Sequence, residues 1–197
     1  MRTFLTTPVL VTPPAAEPVT VEELKLHCRK DTGEEDTLLQ TYLYAAREWF
    51  EASTDRAFVT QTWRVTLPDL AWSYYELPRP PLQSVTSVTY RDTAGVTQTV
   101  AASTYDVVTS STPGRIQLDY GSSWPATDEH PEAVAITYVA GYGAPSAVPR
   151  LVRQGILMLA GYWYEQREAV VQGLALQIKE VPLGVQHIVA AAGAYRF

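Results

Sequence analysis

A chain of 197 residues, 46% hydrophobic and 18% charged, belongs to the globular class, and at this length it buries about 70% of its unfolded surface without a covalent staple. Fifteen Lys and Arg stand against 21 Asp and Glu, a formal charge of −6; the cations are scattered, which argues against a firm grip on nucleic-acid phosphates. Cys28 is the single cysteine, so no intrachain disulfide is expected and a reducing cytosol suits synthesis. The first residues lack the apolar core of a signal peptide, and no run reaches the ~20 apolar residues that span a bilayer.

In chain order, residues 1–19 carry Pro8, Pro13, Pro14 and Pro18 and predict an extended arm, since proline removes a donor and fixes φ. Thr20-Val-Glu-Glu23 has capping-box spacing and opens a short helix to about Lys30, with Leu24 and Cys28 on one stripe. Asp36 is expected to cap a longer helix, Thr37 to about Ser53. There Leu39, Tyr42, Leu43, Ala46, Trp49, Phe50 and Ser53 recur at helical spacing, flanked by Arg47, Glu48 and Glu51.

From Phe58 the period changes to two. Trp63, Val65 and Leu67 alternate with Thr62, Arg64 and Thr66. Further strands are predicted over 84–90, 96–100, 105–109, 115–120 and 133–140. Turn chemistry separates them at Asp92–Gly95, Thr112–Gly114, Gly121–Ser123 and Asp128–Pro131. Short strands at this spacing suggest a small antiparallel sandwich or meander; the last, 133–140, is apolar on both faces and should be covered on both sides.

Gly141-Tyr-Gly143 then turns the chain into a helix from Arg150 to about Arg167. Its stretch Gly155–Tyr164 has no charge around the cylinder, so burial on several sides is expected. Gly155 and Gly161 lie on different faces, which implies close approach of other backbones on two sides. Ala169–Val181 reads as extended, with Leu174, Leu176 and Ile178 alternating. Pro182 opens a last helix bearing Val185, Ile188, Val189 and Ala192, with Gly193 as its C′ residue. The fold class is therefore α+β, a helical body (20–56 and 144–193) drawn from both chain ends with a small antiparallel β block (57–143) inserted, a 1–19 arm and a 194–197 tail.

Chemistry is sparse. Gly141 and Gly143 lack the third glycine of a dinucleotide fingerprint, because position 146 is Ser146. His27, His130 and His187 sit in separate segments without metal-ligand spacing, and Cys28 beside His27 points about 100° away on a helix. Gly121-Ser-Ser-Trp124 lacks the second glycine of a nucleophile elbow. No catalytic site, cofactor or metal is expected. Aromatics remain: Trp72, Tyr74 and Tyr75, beside prolines, are candidates for an interface or, alternatively, for a glycan-binding β module.

Pro13–Glu23, Ala45-Ala-Arg-Glu48, Glu51–Ala57, Ile136–Gly143, Val148-Pro149, Tyr162–Arg167, Val181–Val185 and Tyr195-Arg196 keep one order along the chain. In this pattern the chain resembles the head–tail connector (adaptor) proteins of long-tailed phages and gene transfer agents. Where that family has Thr-Gly-Arg after the long helix, this chain has Thr54-Asp55-Arg56, and Asp tolerates the left-handed backbone such an end requires. The resemblance implies a non-enzymatic virion protein of the neck, assembled in a bacterial cytoplasm. It implies a ring of about twelve copies beneath the portal, a lumen that DNA crosses without specific binding, and a next neck or tail protein below. It also implies that Tyr195, Arg196 and Phe197 meet the portal. Residues 1–18 and 169–181, with Leu174, Leu176 and Ile178, are assigned to neighbouring copies, since extended apolar segments add to sheet edges.

Overall fold

A computed structural model of the chain describes residues 7–166 and 182–194. It is an α+β protein whose strands all pair antiparallel. The chain separates into two compact units. One takes residues 60–142 with the N-terminal segment up to Ala15; the other takes Ala16–Val59 and the chain from Gly143 onward.

The first unit holds β1 (Val9–Thr12), β2 (Gln61–Leu67), β3 (Tyr74–Glu76), β4 (Leu82–Arg91), β5 (Thr97–Thr99), β6 (Tyr105–Val108), β7 (Arg115–Leu118) and β8 (Val134–Ala140). Five form a sheet in the order β1-β2-β8-β4-β5, and three form a second in the order β3-β7-β6. β8 is central and pairs with β2 from Gln61↔Ala140 to Leu67↔Val134. The alternation read in β2 is observed: Trp63, Val65 and Leu67 are buried, as a strand with one face on the core requires. Cover on both sides of β8 is incomplete, because Val134, Ile136, Tyr138 and Ala140 are buried while Ala135, Thr137 and Val139 are half-exposed.

The β4–β5 hairpin is held by Asp92. Its Oδ1 accepts from the Ala94 and Val96 amides and its Oδ2 from the Gln98 side chain, and Gly95 takes φ 77. Those bonds, the Val96 amide first, hold the Asp92 carboxyl below its usual range. β1 and β3 are strands that the sequence pattern did not separate from loop. Each is four residues or fewer, too short to show a period.

The second unit holds α1 (Val21–Cys28), α2 (Asp36–Thr54), α3 (Arg150–Glu165) and α4 (Leu183–Ala194). The capping box is formed: Glu23 N donates to Thr20 Oγ1 and Thr20 N to Glu23 Oε2. α2 starts differently from expectation. Glu35 occupies the cap but its side chain makes no capping bond, and Asp36 is the first helical residue, its carboxylate 2.9 Å from Lys25 Nζ. At the other end Asp55 adopts φ 54, the left-handed cap read from Thr54-Asp55-Arg56.

Leu39, Leu43, Ala46 and Phe50 are buried as the stripe predicts, whereas Ser53 is exposed. Arg47 and Glu51 do not flank the stripe in water; both are buried because they are paired. Arg47 Nε reaches Glu17 at 2.8 Å and its Nη1 reaches Glu51 at 2.8 Å, while Glu51 Oε1 accepts from the Phe58 amide. α3 buries Val152, Gly155, Ile156, Leu159, Ala160, Gly161 and Tyr164.

The glycines are approached on two sides, but by side chains rather than by the backbones expected. A Cβ on Gly155 would meet Phe50 of α2 and Ile188 of α4; one on Gly161 would meet His27 and Cys28 of α1. Shelter is not complete, since Leu151 is exposed and Met158, Tyr162 and Trp163 are half-exposed. In α4, Val185, Ile188 and Ala192 are buried, and Gly193 lies inside the helix rather than after it.

Candidate interaction surfaces

The aromatics singled out in the β unit pack on one another. Trp72 sits 4.6 Å from Trp124 and 5.9 Å from Tyr75 between ring centroids, and Tyr105 stacks on Trp124 at 6.3 Å. Trp124 Nε1 donates to the Trp72 carbonyl. Burial among these rings pushes the Tyr105 hydroxyl pKa up. Only Tyr74 of the named three is exposed, and the Arg115 guanidinium lies over its ring. Rings turned on each other present no row of open faces for sugars.

Among the described residues, neither edge of the five-stranded sheet has a further strand beside it. At β1, Val9, Leu10 and Val11 are all exposed; the strand adds to its own chain's β2 and offers an uncharged outer edge. At β5, Thr97, Gln98 and Thr99 are exposed. Natural edges are usually blunted by charge, so edges without it suit a further strand. Beside the sheet an open groove of about 410 Å³ is lined by Pro68, Asp69, Asp128, Glu129, His130 and Pro131.

In the helical unit the arm is fastened where it enters. Arg153 donates to the Pro18 carbonyl and to Glu23, and Arg47 holds Glu17. Burial raises the Glu17 pKa, against the pull of Arg47 and with the push of Glu51 and Glu48. Burial works against the Arg47 charge, but Glu51 and Glu17 outweigh it and raise its pKa too. One guanidinium among three carboxylates favours the proton-bound form of both partners. Burial, and then the Glu165 carboxylate, push the Cys28 thiol pKa up, against the pull of Lys30. Tyr164 donates to Glu35 and carries Lys30 over its ring.

Among the described residues no group of three His, Cys, Asp or Glu could hold a metal, and no helix is long and apolar enough to cross a membrane. Tyr195, Arg196, Phe197, Leu174, Leu176 and Ile178 lie outside the described residues. Exposed apolar residues that escaped the sequence reading include Leu26, Tyr44 and Leu151. Leu26 on α1 is 79% exposed, and its signal was an apolar residue on the helix face opposite Leu24, next to Arg29 and Lys30.

Residues 18–113 match the model of the phage gp6-like head-tail connector protein family. More particularly, the chain is similar to a subunit in the neck of an empty gene transfer agent (GTA) particle computed with C6 symmetry. That match has 28% identity and TM-score 0.76, and covers 97% of each chain. Subunits in the virion of a native GTA particle (28% identity, TM-score 0.75, 97% of each chain) and in the neck of a native GTA particle computed with C12 symmetry (28%, TM-score 0.73, 98% of this chain and 97% of that) match as well. No curated protein sequence matches.

Proposed function

We propose that the protein is a structural head–tail connector subunit of a phage or gene-transfer-agent neck. Copies form a ring beneath the portal, extend the DNA channel and join capsid to tail. The observation that carries this reading is the match, end to end at 28% identity, to subunits of a neck solved with six- and twelve-fold symmetry, joined to the connector-family match. The role is architectural rather than enzymatic, and nothing favours the glycan-binding alternative: the aromatic cluster is folded in on itself.

The division of labour follows the chain. The tail Tyr195-Arg196-Phe197, with the last helix, meets the portal. The arm up to Pro18 and the 169–181 segment with Leu174, Leu176 and Ile178 meet neighbouring copies, a role supported by the uncharged edges at β1 and β5. A net charge of −6 lets duplex DNA pass without sticking. Deleting residues 194–197 is expected to leave a folded protein that no longer joins portal-bearing heads; equal binding by the truncated and full chains refutes the assignment of the tail.

A further inference from the structure

The helical unit carries a knob that its own packing does not use. On α1, Leu24 is fully buried while Leu26, about 200° round the helix, is 79% exposed. Three residues on, Arg29 caps the helix at φ 55, a backbone that glycine adopts freely and other residues adopt under strain. His27 and Lys30 stand beside it, exposed. Cations at a helix C-terminus complement its dipole. That explains the sign of the charge, but neither an arginine where glycine is easier nor a leucine held in water.

The β unit carries a groove lined by charge of the opposite sign. Its groove has Pro68 and Pro131 as apolar walls and Asp69, Asp128 and Glu129 as carboxylates. Asp128 is committed to Arg91 at 2.9 Å and Asp69 accepts from the Ala71 amide, while Glu129 is exposed. Knob and groove are different patches of one chain, so joining them between copies makes a heterologous contact, the kind that closes into rings. The chain's acidic balance, 21 against 15, makes another copy a fitting source of carboxylate for a cationic knob.

Resting on the ring assembly proposed above, we infer that Leu26 of one copy seats between Pro68 and Pro131 of the next, with Arg29 against Glu129. The test is charge exchange. Arg29→Glu, Glu129→Lys, the double variant and Arg29→Gly are each mixed with portal-bearing heads that lack connector, and collars are counted by electron microscopy over a concentration series. Either reversal alone is expected to require about tenfold more protein for half-occupancy, as like charges at an interface do, and the double variant to recover most of the loss. Arg29→Gly should melt at a higher temperature than the parent, because strain is relieved, yet assemble less well. A merely structural arginine would predict the first effect without the second.

Single variants that assemble like the parent, or a double variant no better than either single, overturn the contact while leaving the connector reading intact. Intact collars combined with a salt-sensitive loss of duplex DNA binding in Arg29→Glu would assign the knob to phosphate and also overturn it. Failure of the parent protein itself to join heads removes the connector reading, and this contact with it.

Discussion

Two glycines in one helix should respond to the same substitution with opposite sign. Replacing an interior helical glycine by alanine gains about 1 kcal/mol of propensity. At Gly155 the new methyl would stand 2.6 Å from Phe50 Cζ and 3.0 Å from both Phe50 Cε1 and Ile188 Cγ2, where carbon atoms prefer about 3.5–4.0 Å. Phe50 is fully buried, edge-on against Trp49 at 5.3 Å, and Ile188 is buried as well, so α2 and α4 would have to back away together. Overpacking of that kind costs about 1–3 kcal/mol, which leaves Gly155→Ala destabilised by up to about 2 kcal/mol.

At Gly161 the nearest atoms are His27 Cδ2 at 2.9 Å and Cys28 Sγ at 3.5 Å. His27 is exposed and its ring can swing aside, so the propensity gain survives and Gly161→Ala should be stabilised by about 0.5–1 kcal/mol. Urea unfolding followed by far-UV circular dichroism reads both, and thermal melts should separate the two variants by several degrees, at about 2–4 °C per kcal/mol for a chain of this size. A Gly155→Ala protein as stable as Gly161→Ala would refute the close approach of Phe50 and Ile188.

Gly114→Ala should be more damaging still, by about 2–3 kcal/mol. Its methyl would fall 2.4 Å from Leu82 Cβ, the root of a side chain rather than its mobile end, and a denaturation series measures the loss. Thr20→Ala removes the capping box of α1 and is expected to lose about 1 kcal/mol in the same assay. Glu17 sets a pH signature. Its folded pKa is raised above 4.5, so the folded state binds a proton there that the unfolded chain releases. Its ionisation therefore weakens the fold as pH rises through the folded pKa, and the contribution is fullest below 4.5. The stability of the parent relative to Glu17→Gln should rise as pH falls from 7 toward 4.5; a difference that shrinks on acidification contradicts the raised pKa.

What could be read in advance was local. The capping box at Thr20, the α2 stripe, the period-two alternation of β2 and the two glycine faces of α3 depend on neighbours a few residues apart. What was missed depends on partners far along the chain. Arg47 looked solvated because Glu17, thirty residues earlier, gave no local sign of meeting it, and Asp36 looked like a cap because Lys25 was not counted against it. The packing of Trp72 on Trp124 gave no local sign because the two are fifty-two residues apart. The connector resemblance was legible because it lay in the order of many weak motifs rather than in one strong one. Leu26 and the Pro68–Pro131 groove carried no motif, and only packing separates an exposed leucine from a buried one.

β8 lies between β2 and β4 in the five-stranded sheet, yet it is the last of that sheet's strands along the chain. During translation β2 leaves the ribosome roughly 70 residues, or about 3–14 s, before the strand that must lie beside it. From the emergence of β4 onward the nascent chain holds two strand edges, on β2 and β4, that residues 134–140 close. An unfinished chain therefore offers those edges to its neighbours on the polysome until its last strand of the sheet is made.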